Sequence, residues 1–253
     1  QIARELRFVQ RNIENGKKVY TKDSSPWFDM GLISRFGKNE ADKLKAKNQR
    51  TYQSIIYGII GLEYKNQEPM IFLDKKLVEF AKKFSQKNSI GKSEKVIGIN
   101  TGAGGRWVDK KLSVKETAEL INRLKETKGL KIILFGGPQE TERNQEIIKL
   151  AGNGIIDAGC NNSLMEFAAL ISLCDAIITS DSLALHIGTA LKKNIVAFFY
   201  PTSAAEIELY GRGIKIIGKG KSYCSYKSKC DEPPQWDIKK IADSAIELLS
   251  KVA

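Results

Sequence analysis

The sequence predicts an α/β protein whose main part, residues 95–253, is a doubly wound parallel sheet. Three observations predict it. From Lys95 onward, short runs rich in Ile, Val and Phe alternate with longer segments of helical period, and such alternation means parallel strands joined by right-handed crossovers. The runs are almost continuously apolar, as strands are when helices cover both faces of their sheet. Glycine-rich turns follow the first two runs, at the strand ends where ligands bind in such sheets.

"KVIGIN" (95–100) is the first strand. "SVKETAELINRLKET" (113–127) carries Val114, Ala118, Ile121 and Leu124 at helical spacing, with Ser113 and Glu116 spaced as a capping box. "LKIILFGG" (130–137) is the second strand and ends in Gly-Gly; "ETERNQEIIKLAG" (140–152) is a helix closed by Gly152. "GIIDAG" (154–159) is a strand, and "SLMEFAALISLC" (163–174) a helix with Ser163 and Glu166 again in capping-box spacing. "AIITS" (176–180), "SLALHIGTALKK" (182–193) and "NIVAFFY" (194–200) read as strand, helix, strand. "GIKIIG" (213–218) is a last strand, and 238–253 a terminal helix with an apolar stripe.

Residues 1–94 form no comparable set. A helix is expected over 2–16, ended by Gly16, then a short strand over 17–21, and mostly helix over 39–62. "EPMIFL" (68–73) follows a loop, and "DKKLVEFAKKFSQKN" (74–88) is a helix ahead of the main part. This arrangement is expected of the back half of a domain plus a connector.

The 253 residues are 42% apolar and 28% charged, the composition of a globular protein. No apolar stretch approaches the ~20 residues of a membrane span. Gln1–Gln10 carries Glu5 and two arginines where a signal peptide would have its apolar core. The net charge of +12 is uneven: 20 Lys and Arg face 11 Asp and Glu up to Lys95, and 21 face 18 from Val96. Such a field favours anionic partners, including phosphorylated sugars or an anionic membrane face, although dispersed lysines also simply keep a protein in solution. A nucleic-acid partner is not expected, because no helix-turn-helix, zinc finger or aromatic stacking platform is present in the sequence. Cys160 and Cys174 lie in apolar segments and should be buried; Cys224 and Cys230 lie in the polar "YCSYKSKC" and are expected as loop thiols or a reversible disulfide. Two thiolates alone do not complete a tetrahedral zinc site, so no metal is expected.

The chemistry should lie just past the strands. "NTGAGGRWVDKKLS" (100–113) offers Thr101, Gly102 and Ala103 with two further glycines, then Arg106, Lys110 and Lys111. Glycines admit close backbone approach, and the lysines suit phosphate. The spacing fits neither a Walker loop nor the dinucleotide fingerprint, and a plain strand-to-helix turn with solvated lysines has the same composition. In "GGPQETER" (136–143), Glu140 either caps a helix start or accepts ribose hydroxyls behind Gly136. Asp181 and Ser182 are ordinary capping types at a helix start. His186, the only histidine, lies four residues past Ser182 on the same helical face. It reads either as a half-buried structural residue or as a hydrogen-bond donor to a ligand. Three such loops at one sheet edge make a candidate nucleotide-sugar site.

"SDSLALHIGTALKKNIVAFFYPT" (180–202), "NTGAGGRW" with its lysines, and "FGGPQETE" resemble their counterparts in glycosyltransferase family 9, the bacterial heptosyltransferases of lipopolysaccharide core assembly. "KNQRTYQSIIYGIIGLEY" (47–64) is similar to the family's interdomain connector. The resemblance implies a GT-B architecture, with residues 1–94 as a remnant of an acceptor-side domain plus connector and 95–253 as the nucleotide-sugar domain. It implies an inverting, metal-independent transfer of a sugar from a nucleotide-diphosphate donor, ADP-heptose in type, to an anionic glycolipid acceptor, with no cofactor. The enzyme would be cytoplasmic, in peripheral contact with the inner membrane. By motif, Lys110 corresponds to the lysine on the donor phosphates, Glu140 to the ribose carboxylate and Asn162 to a residue near the adenine. Asp181, Ser182 and His186 correspond to the set around sugar and diphosphate. Leu183 stands where the family has glycine. The general-base aspartate is expected upstream of Gln1, in roughly 90 residues of a usual two-domain length; a non-catalytic nucleotide-binding remnant is the alternative.

Overall fold

The computed structural model of the protein describes residues 12–14, 17–105, 107–225, 230 and 232–251. Its centre is a six-stranded, all-parallel sheet of β3 (Lys95–Asn100), β4 (Leu130–Phe135), β5 (Ile155–Asp157), β6 (Ala176–Ser180), β7 (Asn194–Phe199) and β8 (Gly213–Ile217). The strand order is β5-β4-β3-β6-β7-β8. Chain progression therefore runs outward from β3 to one edge, returns to β6 beside it, and runs to the other edge. This is the doubly wound order with its switch point between β3 and β6.

Both faces of the sheet are covered, which is why its strands are nearly continuous apolar runs, with polar residues mostly toward their ends. On one face Ile97, Ile99, Ile132, Leu134, Ile178 and Val196 meet α5 (Val114–Lys125) and α9 (Ile238–Ser250). On the other, Val96, Ile133, Phe135 and Ile177 meet α7 (Leu164–Ile171) and α8 (Leu183–Ala190). Each such side chain contributes about 1.5–3 kcal/mol by leaving water. The two predicted capping boxes form: Ser113 and Ser163 accept from Glu116 N and Glu166 N at 3.2 and 3.3 Å, and the two glutamates accept in return at 2.7 and 2.8 Å.

The front part holds the hairpin β1 (Asn12–Glu14) and β2 (Lys17–Val19), then α1 (Ser25–Asp29), α2 (Lys38–Lys47), α3 (Tyr52–Ile59) and α4 (Lys75–Lys87). The helix expected over 2–16 is corrected at 12–14, which pair as a strand; its remaining residues lie outside the described ones. The helix expected over 39–62 is two helices. Asn48 turns extended and bonds both backbone groups of Arg50, and Thr51 then caps α3 by accepting from Ser54 N at 3.3 Å. Side-chain bonds of this kind compete with helix continuation. The front part joins the sheet domain through Ile71, Leu73, Phe80 and Phe84, packed on the second core face. Glu68 also pairs with Arg212 at 2.5 Å, and Tyr52 N donates to Glu206 O at 2.7 Å.

Candidate functional site

A cleft of about 720 Å³ opens at the carboxyl ends of the strands, beside the switch point. One wall is the Gly102–Gly105 loop after β3 and the Gly136–Glu140 turn after β4. The other is Asn162 with Leu164 and Phe167, and the start of α8 from Ser182 to Ala184.

Asn100, the last residue of β3, organises the floor. Its Nδ2 lies 2.7 Å from Gly102 O, 3.2 Å from Ser182 Oγ and 3.3 Å from Thr179 Oγ1, and the two hydroxyls are 2.9 Å apart. These bonds tie the ends of β3 and β6 across the switch point. They also take Ser182 away from capping: it holds the N-cap position of α8 but makes no side-chain cap bond. The α8 N-terminus therefore faces the cleft without a side-chain cap, a favourable arrangement for an anion.

Glu140 is buried at the cleft wall. Its Oε2 accepts from Gly137 N at 3.1 Å, and Lys111 Nζ lies 3.4 Å from Oε1. The glycines beside it are dictated by space. A Cβ on Gly102 would stand 3.0 Å from Glu140 Oε2, and one on Gly136 would stand 2.8 Å from both Asn144 Nδ2 and Glu140 Cβ. Thr101 does not line the cleft; its hydroxyl binds Phe135 O at 3.0 Å and Asn144 Oδ1 at 2.6 Å, fixing the loop from behind. Asn162 lines the cleft and braces the turn after β5 by donating to Ala158 O at 2.9 Å.

Lys110 and Asp181 meet each other. Lys110 Nζ donates to the Asp181 carbonyl and to Oδ2, both at 3.0 Å, over the Trp107 ring at 4.8 Å. The two side chains are only 8% and 18% exposed, and neither lines the cleft. Lys110 is thus held on Asp181 and is not presented to the cleft. His186 is exposed on α8, off the cleft wall, and not half-buried. Leu183 is exposed and does line the cleft. Arg106 lies outside the described residues.

Sequence reasoning missed Asn100, whose signal was a polar residue ending an apolar strand. It also missed the Glu206–Lys45 pair, 3.3 Å apart and mostly buried. Burial pushes the Glu206 carboxyl up, Lys45 and Lys110 oppose this, and Asp181 adds to it, which places the pair in the electrostatic reach of Lys110 and Asp181. Cys224 and Cys230, expected in a polar loop, are buried thiols. Cys230 N donates to Asp109 Oδ2 at 2.6 Å, drawing that loop onto the 108–110 turn.

Residues 23–235 match the family model of glycosyltransferase family 9 (heptosyltransferase). The chain belongs to that family. Over 111 residues it is 35% identical to lipopolysaccharide heptosyltransferase 2 of Salmonella typhimurium, covering 42% of this chain and 30% of that one. Over 192 residues it is 26% identical to lipooligosaccharide heptosyltransferase 2 of Haemophilus influenzae, covering 68% and 53%. The chain thus spans about half, or less, of the length of these curated relatives. The crystal structure of the glycosyl transferase family 9 protein from Veillonella parvula superposes with a TM-score of 0.68 at 19% identity, over 81% of this chain and 61% of that one. The E. coli ADP-heptose heptosyltransferase II structure gives 0.57 at 21%, over 76% and 57%. These likenesses are of fold, and the fold is of the GT-B type.

Proposed function

We propose that the intact protein transfers a sugar, heptose in type, from a nucleotide-diphosphate donor to a lipopolysaccharide-core or similar anionic glycolipid acceptor, with inversion and without a metal. The observation that carries this is the convergence of four groups on one cleft at the switch point: the glycine loop after β3, Glu140, Asn162 and the α8 N-terminus. The family relatives named above act as heptosyltransferases by their names, and the structure of E. coli heptosyltransferase WaaC with ADP shares the fold at a TM-score of 0.53.

In this reading the ribose hydroxyls donate to Glu140, and the base lies against Leu164 and Phe167 near Asn162. The diphosphate faces the glycine loop and the α8 N-terminus. In the displacement, the acceptor oxygen bonds to the anomeric carbon as the bond from that carbon to the diphosphate oxygen breaks. The acceptor proton goes to a base on the acceptor side. The charge gathering on the diphosphate is met by helix N–H groups, fixed donors aimed where charge develops, and by Lys110 once it turns from Asp181. His186, on the same helix, is assigned to the sugar side as a hydrogen-bond donor.

Thermal-shift titration with ADP-, GDP- and UDP-sugars tests the reading. Stabilisation by one of them, weakened strongly in Lys110→Ala, is expected. No shift with any nucleotide sugar would refute it.

A further inference from the structure

Asn100 is 8% exposed, yet it lines the cleft at the switch point. Its hydrogen bonds leave one atom over. Nδ2 faces Gly102 O, Ser182 Oγ and Thr179 Oγ1, all within 3.3 Å. The Gly102 carbonyl can only accept, so the atom turned to it is the amide nitrogen and the other is Oδ1. Three acceptors around one NH2 group hold the amide in that orientation. Among the described residues none donates to Oδ1. Leaving a buried acceptor unpaired is costly, so this oxygen calls for a partner from the cleft.

The hydroxyls beside it fix the polarity of that partner. Thr179 Oγ1 donates its single proton to Ser180 O at 3.0 Å. In its 2.9 Å contact with Ser182 the donor is therefore Ser182 Oγ, which itself accepts from Asn100 Nδ2 at 3.2 Å. Every proton that these three side chains can donate is engaged within the protein, and the cluster presents only lone pairs to the cleft. A phosphate oxygen, itself an acceptor, finds no donor here. A hydroxyl does find an acceptor. We propose that Asn100 is a sugar-binding residue whose Oδ1 accepts a hydrogen bond from a hydroxyl of the transferred sugar. The ribose hydroxyls, the other hydroxyls of such a donor, are drawn to the stronger acceptor, the Glu140 carboxylate. Asn100 is bonded to both elements that face the diphosphate, the glycine loop at Gly102 and the start of α8 at Ser182, so the group that reaches it is the sugar on that diphosphate. The inference deepens the proposed function and rests on its nucleotide-sugar reading.

The test is calorimetric titration of ADP and ADP-heptose into wild type and Asn100→Ala, with melting curves to confirm folding. The variant should lose about fivefold more affinity for ADP-heptose than for ADP, the weight of one neutral hydrogen bond. A role in holding the cleft floor alone would weaken both ligands alike, so equal losses, or no loss for either, would overturn the inference. If the variant does not fold, a crystal structure of wild type with ADP-heptose reads the same contact. A sugar hydroxyl within about 3.2 Å of Oδ1 is expected; a ribose hydroxyl there, or water with the sugar elsewhere, would overturn it. Wild type that binds ADP but not ADP-heptose would overturn the role of Asn100 and leave the nucleotide site standing. Wild type that binds neither would refute both.

Discussion

Replacing Asp181 by asparagine should make the empty protein less stable and its hold on a diphosphate tighter. The Lys110–Asp181 pair is 3.0 Å long and largely buried. At an effective dielectric constant of about 20, two unit charges at that distance attract by roughly 5–6 kcal/mol. Desolvation offsets part of this, and Lys110 keeps its second bond, to the Asp181 carbonyl at 3.0 Å. A loss of about 3 kcal/mol is expected, the low end for deleting one partner of a buried pair. In a chain of this size that lowers the melting temperature by roughly 6–12 °C. The uncompensated Lys110 charge then meets a diphosphate without displacing a carboxylate, so inorganic pyrophosphate should bind at least about tenfold tighter, ~1.4 kcal/mol. Melting curves with and without pyrophosphate, backed by calorimetry, read both effects. An unchanged melting temperature would show that the pair contributes nothing. Pyrophosphate binding equal to or weaker than wild type would show that Lys110 does not meet the phosphates.

Gly136→Ala should cost about 1–3 kcal/mol by overpacking, because its Cβ would stand 2.8 Å from Asn144 and Glu140 atoms; urea unfolding reads the loss, and wild-type stability would contradict the close approach. Bonds from the Ser163 hydroxyl and backbone N–H hold the Glu166 carboxyl below the usual carboxylate range. The unfolded chain then binds the extra proton between the two pKa values, so this stabilisation is present above the unfolded pKa and lost as pH falls through the folded one. Glu166→Gln keeps the acceptor but not the titration, so stability measured against pH should show a shallower acid limb; an unchanged slope would count against the assignment. Burial pushes the Cys174 thiol up to about 12, so iodoacetamide at mildly alkaline pH should label it only on unfolding; rapid labelling of the native protein would show that the core opens there.

Local signals carried most of the fold. The apolar runs fixed the strands of 95–217, and the capping pairs at Ser113 and Ser163 fixed two helix starts because each is a contact three residues long. The pairing of side chains across the switch point was not legible. Lys110 meets Asp181 over 71 residues, and Asn100 meets Ser182 over 82, and only the strand order brings them together. For the same reason Ser182 looked like a cap and is instead part of the Asn100 cluster. The break between α2 and α3 rests on the side-chain bonds of Asn48 and Thr51 to nearby backbone groups, and a reading of the segment by its overall composition runs through it as one helix. The burial of Cys224 and Cys230 in a polar stretch follows from tertiary contacts such as Cys230 N to Asp109, which no local pattern announces.

The most direct test of a nucleotide held in this cleft is calorimetric titration of ADP and 2′,3′-dideoxy-ADP into wild type and Glu140→Gln. If the Glu140 carboxylate accepts the ribose hydroxyls, wild type binds ADP and the variant loses about 1–2 kcal/mol for ADP, with little change for the dideoxy form. No ADP binding to wild type, or an equal loss for both nucleotides, would contradict it.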